Sequence, residues 1–178
     1  MIRKNWIVLA LIVSLMFSIG CGDPKKNGKP FQLDPKKVEN TLAELHKKNI
    51  KIEDQQIDDY LNRRGWDFTR TKSGLRYKIY KEGIGLKPKE GQGVVLEYQL
   101  NLIRGELIYD SKKDGVKMFT VGEADEPTGL QEVVQLMEVG SRAKVILPSY
   151  LAYGAVGDEN KIPPRATLFY DLYLKEIH

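Results

Sequence analysis

Imidazole and thiol, the groups most often recruited for nucleophilic, acid–base and metal chemistry, are scarce in this chain. Its 178 residues carry two histidines, His46 and His178, and one cysteine, Cys21. His46 falls in a stretch with helical periodicity and His178 is the last residue, so neither a metal cage nor a Ser-His-Asp relay can be assembled from them. The spaced glycines Gly83, Gly85, Gly91 and Gly93 sit in a connection between strands, without the following helix that a dinucleotide-binding loop needs. No metal and no cofactor are expected. What remains is a high density of tyrosine, nine in the chain, and of bulky apolar residues near turns. That combination suits a shallow binding pocket rather than a catalytic triad.

The elements that must position such a pocket are readable from periodicity. Asp34-Pro35 supplies an N-cap and a first helical residue, and Val38, Leu42 and Leu45 follow at spacings of four and three. A second helix is expected from about Glu53, with Ile57, Tyr60 and Leu61 on one face and Gly65 as its C-cap. Helices this short are marginal alone, so their apolar stripes are expected to pack in cis on the main domain. From Ser73 the period changes to that of strands: Leu75, Tyr77 and Ile79 alternate, then Gly83 and Gly85 mark a turn. Val94, Leu96, Tyr98, Leu100 and Leu102 form the clearest strand face, closed by a hairpin turn at Arg104-Gly105. Returning strands are expected over Leu107–Asp110, Met118–Val121, Arg142–Leu147 and Ala166–Ile177, the last with Leu168, Tyr170, Leu172 and Leu174 facing one way. Gly129–Met137 has helical composition and ends at Val139-Gly140. The sum is an α+β domain, a small antiparallel sheet with one central helix.

Composition, 42% hydrophobic and 29% charged, is that of a globular protein with room for one packed domain and an appendage. The net charge of +4 shrinks to 26 bases against 24 acids once Arg3 and Lys4 are set aside, and no basic cluster is interleaved with aromatics, so nucleic acid is not an expected partner. Arg3 and Lys4, the apolar run Trp6–Phe17 and the small residues Ser18 and Gly20 before Cys21 read as an export signal. The run is shorter than the roughly 20 residues a bilayer span needs. A signal ending on a small residue followed at once by Cys resembles a bacterial lipobox, in which the Cys is lipidated and becomes the mature N-terminus; Ser18 departs from the usual Leu. A free thiol beside a cleaved signal is the other reading, and unpaired cysteines are liabilities in oxidising compartments. The expected organisation is a lipoprotein signal over 1–20, a flexible tether over 21–33, a helical extension over 34–72 and the main domain over 73–178.

Within that domain, Tyr98, then Tyr109-Asp110-Ser111, Gly129-Leu130, Val139-Gly140-Ser141-Arg142-Ala143, Leu151-Ala152-Tyr153-Gly154 and Ile162-Pro163-Pro164-Arg165-Ala166-Thr167-Leu168 follow in fixed order. This series, ending on Asp171-Leu172, resembles the FKBP-type prolyl isomerases from about Leu75 to His178. The resemblance implies a curved antiparallel sheet wrapped around one short helix, and catalysis of rotation about X-Pro bonds without a cofactor. It implies a proline pocket lined by Tyr98, Tyr109, Phe119, Leu130, Ile162 and Tyr170. Tyr153 would offer its hydroxyl to a substrate carbonyl, and Asp110 would stand at the rim, held by neighbouring hydroxyls. Tyr98, Asp110 and Tyr153 would therefore be the catalytic set.

Departures from the family pattern point to a shallower and more polar pocket. Leu130 stands where the family usually has Trp, Glu126-Pro127 replace an apolar pair, Lys117 or a neighbour replaces an aromatic, and hydroxyls are added at Tyr109 and Tyr170. Expected partners are proline-containing exported polypeptides and, through lipidated Cys21, the membrane on the periplasmic side of the envelope. A monomer is expected, although a dimer arm over residues 34–65 is compatible with the sequence. The alternative function is a non-catalytic FKBP-like binding module in an envelope assembly.

Overall fold

The computed structural model describes residues 34–123 and 126–178. The stretch expected to be an export signal, Cys21 and the expected tether lie outside the described residues. The chain divides into two compact units, Met1–Glu39 and Asn40–His178. The larger one takes in most of the 34–72 stretch expected as an extension.

Where two short helices were expected there is one, α1, Pro35–Arg64, 30 residues long. No Gly or Pro lies between Lys36 and Arg64, so nothing removes a backbone hydrogen bond at Asn49–Ile52, where the apolar spacing slips. The ends are as expected. Asp34 Oδ1 accepts from the Lys36 amide at 3.1 Å. Gly65 takes φ +62 while the Trp66 amide donates back to the Leu61 carbonyl at 3.1 Å, a left-handed C-cap.

The strands are β1 (Thr69–Arg70), β2 (Arg76–Lys81), β3 (Gly93–Leu102), β4 (Leu107–Asp110), β5 (Lys117–Thr120), β6 (Arg142–Leu147) and β7 (Leu168–Ile177). All pair antiparallel in the order β1-β2-β6-β7-β3-β4. β5 takes the start of the β3 edge, Gly93–Leu96, and β4 takes its end, Gln99–Asn101. A one-turn helix, α2 (Ser111–Asp114), joins β4 to β5, and a 3-10 turn over Ser149–Leu151 follows β6. The central helix α3 runs Thr128–Val134, shorter than the Gly129–Met137 expected, because the amides of Leu136 and Met137 bond to the carbonyls of Val133 and Val134 in tighter turns. Leu130, Val133 and Val134 of α3 are fully buried with Leu96, Leu100, Val145, Leu168 and Leu172 of the sheet. Gly129 permits this approach: a Cβ there would stand 2.7 Å from Leu147 Cδ2.

The second half of α1 docks on the far side of the strands from that core. Ile57 and Leu61 join Ile146 in a small cluster edged by Tyr60, Trp66, Phe68, Ile103 and Phe169. Burying two such aliphatic side chains contributes about 1.5–3 kcal/mol each. The Glu53 carboxylate accepts from the Ser149 amide (2.7 Å), the Ser149 hydroxyl (2.8 Å) and the Thr167 hydroxyl (2.6 Å). Arg76, only 1% exposed, pairs with Asp54 at 2.6 Å and Asp58 at 2.8 Å and donates to the Gly74 carbonyl. Packing in cis therefore holds for this half of α1. It does not hold for Leu42 and Leu45, which are 60% and 50% exposed. No helix among the described residues is long and apolar enough to cross a membrane.

Candidate active site

The pairing of β4, β3 and β7 sets Tyr109, Leu100 and Tyr170 in one row, because Leu100 is opposite Tyr109 on one side and Tyr170 on the other. Side chains in a row share a face of the sheet. Tyr98 lies two residues along β3, on the same face, with its ring 6.3 Å from that of Tyr170 at a tilt of 53°. These residues, with Tyr153 from the loop after the 3-10 turn and with Asp114, Lys117 and Asp158, line a cavity of about 270 Å³.

The phenols are held in their neutral form. Burial, reinforced by the Glu126 charge, pushes the Tyr153 hydroxyl up to about 12. Tyr170 is fully buried and its pKa is raised well above the ordinary tyrosine value, chiefly by burial and then by Tyr153 and Glu126. Tyr98 is raised by burial and by the charges of Asp114 and Glu126. The cavity thus presents hydroxyl donors that keep their protons through the whole physiological range, a requirement for binding a carbonyl oxygen.

Asp110 stands beside this cavity, lining a second one of about 190 Å³ that shares Tyr98 with the first. Its carboxylate is held by an amide and a carboxamide, not by the hydroxyls expected. Lys112 N donates to Oδ1 at 2.9 Å, capping α2, and Gln99 Nε2 donates to Oδ2 at 3.1 Å. The Ser111 hydroxyl instead accepts from the Tyr98 amide at 3.0 Å. The Lys112 amide, then Gln99, keeps the Asp110 carboxyl below its ordinary value, so it is ionised at neutral pH.

Among the expected pocket residues, Tyr98, Tyr109, Tyr153 and Tyr170 converge on the cavity. Leu130 and Ile162 belong to the core that carries Tyr170, at 0% and 3% exposure, and supply hydrophobic backing rather than cavity wall. Phe119 on β5, opposite Val94, packs against that core and does not line the cavity either.

Two features were missed in the sequence reading. Asp158 folds the loop before Ile162: Oδ1 accepts from the amides of Asn160 (3.0 Å) and Ile162 (2.7 Å), while Oδ2 accepts from the Tyr109 hydroxyl at 2.6 Å. Burial alone would raise the Asp158 pKa, but Tyr109 and these amides outweigh it and the net shift is downward. The signal was present as Gly157-Asp158-x-Asn160, turn chemistry in which an Asp binds the amide two residues on. Second, Lys117 Nζ pairs with Glu126 Oε1 at 2.6 Å, with side chains 19% and 13% exposed, and the ammonium lies 5.7 Å from the Tyr98 ring centroid. Glu126 Oε2 is buried without a hydrogen-bond partner. The loop bearing Glu126 is stapled by Gln131, which accepts from the Gly122 amide at 2.8 Å and donates to the Glu126 carbonyl at 2.9 Å. No cluster of His, Cys, Asp and Glu among the described residues is arranged to hold a metal.

Comparison with known proteins gives the family and the fold. The family model for the FKBP-type peptidyl-prolyl cis-trans isomerases matches residues 85–175. The chain belongs to that family. It is 36% identical over 137 residues to a probable FKBP-type peptidyl-prolyl cis-trans isomerase FkpA of Neisseria meningitidis serogroup B, covering 76% of this chain and 50% of that protein. Over 102 residues it is 37% identical to the outer membrane protein MIP of Legionella longbeachae, covering 57% and 43%. The chain thus spans about half the length of these curated relatives. The crystal structure of FkpA from Escherichia coli superposes with a TM-score of 0.62 at 22% identity, over 98% of this chain and 81% of that one. This confirms the FKBP fold, an antiparallel sheet with the short helix against it. The tyrosine-lined cavity is carried by β3, β4 and β7 of the FKBP domain, inside the matched segment, as are Lys117 and Glu126.

Proposed function

We propose that this chain is a peptidyl-prolyl cis-trans isomerase that assists the folding of exported proteins, with Tyr98, Asp110 and Tyr153 as its catalytic residues. The observation that carries this reading is the convergence of Tyr98, Tyr109, Tyr153 and Tyr170 on one cavity backed by Leu130 and Ile162. Rotation about an X-Pro bond meets a barrier of about 18–20 kcal/mol and takes tens of seconds unaided. No bond is made or broken. In the transition state the amide is twisted and has lost resonance, so its carbonyl is less polarised than in the planar form. Transfer from water to the cavity costs the twisted amide less than the planar one, and only such differential stabilisation accelerates the step. Each tenfold acceleration corresponds to about 1.36 kcal/mol. Tyr153 hydrogen-bonds a substrate carbonyl other than the one that rotates and so holds the segment in the cavity, while the Asp110 charge at the rim responds to the rotating carbonyl dipole.

In this reading Cys21 carries lipid and holds the domain on the periplasmic side of the envelope, with residues 21–33 as tether. The apolar run Trp6–Phe17 and the small residues before Cys21 support it, as does a relative named as an outer membrane protein. A monomer is the proposed state, since the second half of α1 is used in cis. One observation favours a second reading, a non-catalytic binding module: Lys117, ion-paired with Glu126, puts a charge in the wall of the cavity. Refolding of an exported protein whose slow phase is proline isomerisation separates the two. The isomerase reading predicts that the full chain shortens that phase and that Tyr153→Phe with Asp110→Ala abolishes the effect. A slow phase unchanged by the parent chain points to the binding module.

A further inference from the structure

A cavity larger than the tyrosine site lies elsewhere in the Asn40–His178 unit. It is a cleft of about 840 Å³ between the last turns of α1, the β3–β4 turn and the Pro163–Thr167 loop. Its apolar floor includes Ile57 and Ile103, which belong to the cluster that docks α1, and Pro164 lines the side opposite the helix. Arg63 comes from the helix, Arg104 from the turn and Arg165 from the loop, and no carboxylate is among the lining residues. All three arginines are exposed, and none forms an ion pair with another described residue. Arg165 also holds a left-handed backbone at φ +57, a conformation better suited to Gly or Asn. A positively charged side chain is kept there at a conformational cost.

We propose that this cleft is a second polypeptide-binding site, and that it takes an extended segment in which acidic residues alternate with apolar ones. Arginines on three separate elements line the cleft, and each guanidinium can hold a carboxylate through two parallel hydrogen bonds. Alternate side chains of an extended strand point to opposite sides, so one set meets the arginines while the other reaches the apolar surface of Leu102, Ile103 and Pro164. A lipid surface is a poorer fit, because anionic headgroups in a plane address a flat or convex array of cations and not a concave cleft. The Asp158–Thr167 segment joins the two sites: Asp158 and Ile162 belong to the tyrosine cavity and its backing, Pro163 to Thr167 to the cleft. A client held in the cleft would raise the local concentration of its nearby prolines at the cavity. This last consequence rests on the isomerase reading, whereas binding in the cleft does not.

The test is fluorescence anisotropy of the full chain with a labelled, proline-free peptide in which Glu alternates with Leu and Thr, beside a peptide with Lys in place of every Glu. The proposal predicts saturable binding of the acidic peptide only, weakened by salt, with Kd raised at least about tenfold by Arg63→Glu with Arg104→Glu. Both positions are exposed and unpaired, and Arg63→Gln with Arg104→Gln gives a milder variant with an intermediate Kd; circular dichroism verifies that each is folded. Equal affinity for the two peptides, or for parent and charge-reversed chains, overturns the proposal. So does arginine-dependent binding to phosphatidylglycerol vesicles without peptide binding, which assigns the cleft to a membrane. Because the peptide lacks proline, a chain with no isomerase activity leaves this result intact.

Discussion

Replacing Lys117 with Met removes the partner of a Glu126 carboxylate that is 13% exposed and already has one oxygen without a hydrogen bond. Breaking a buried pair by deleting one member costs about 3–5 kcal/mol, because the remaining charge stays desolvated. The residual exposure of both side chains lets water approach, which brings the expected loss to about 2–3 kcal/mol. For a domain of this size that corresponds to a melting temperature lower by roughly 6–12 °C. Lys117→Met combined with Glu126→Leu removes both charges and fills similar volume, so its stability should return to within about 1 kcal/mol of the parent. Urea denaturation of the four chains gives the coupling energy directly, through the shift in midpoint at constant slope. The double variant should also isomerise X-Pro peptides faster than the parent, since the cavity wall then lacks the Lys117 charge. A single variant as stable as the parent, or a double variant whose loss is the sum of the two single losses, would refute the reasoning.

Three further outcomes are expected. The isomerase rate should be level between about pH 5 and 9, because Tyr153 keeps its proton up to about 12 and Asp110, held below its ordinary value of 3.8, keeps its charge; a bell-shaped profile in a buffer series would contradict this. Stability from Asp158, whose folded pKa is depressed, should be fully present above its unfolded value of 3.8 and be lost as pH falls through the folded one, so acid denaturation of Asp158→Asn should begin from a lower plateau and fall less steeply. Arg76→Leu leaves Asp54 and Asp58 with Arg70 alone, itself half exposed, and should cost about 1–3 kcal/mol, with faster proteolysis inside α1 than in the parent at equal temperature.

The sheet was legible because its pattern is binary. Leu168, Tyr170, Leu172 and Leu174 are buried in alternation, as their spacing requires, and Arg142–Leu147 forms a strand with the bounds expected. In β3 the simple alternation breaks: Val95 is buried between Val94 and Leu96, where the register with β7 shifts, and such a bulge leaves no period-2 signature. The single helix α1 was misread as two because apolar spacing slips at Asn49–Ile52, although helix continuity depends on the backbone and only Gly or Pro would have interrupted it. Arg76 stands opposite Ile146 on the face of β2 turned away from the main core, a position that reads as polar and exposed; only α1, with Asp54 and Asp58, covers that face and buries it. The site was legible where one aromatic on a strand fixes one wall, as with Tyr98, Tyr109 and Tyr170. It was not legible where polar groups meet across loops: Tyr109 and Asp158 are 49 residues apart, and nothing local signals their 2.6 Å contact.

The most direct test of the central claim is NMR exchange spectroscopy on a short X-Pro peptide, in which cis and trans resonances are followed with and without the full chain. Catalysis predicts exchange cross-peaks that grow with protein concentration, vanish for Tyr153→Phe with Asp110→Ala, and leave the cis-to-trans ratio of the free peptide unaltered. Binding-induced line broadening without exchange between the two isomers would contradict the account and make the tyrosine cavity a binding site alone.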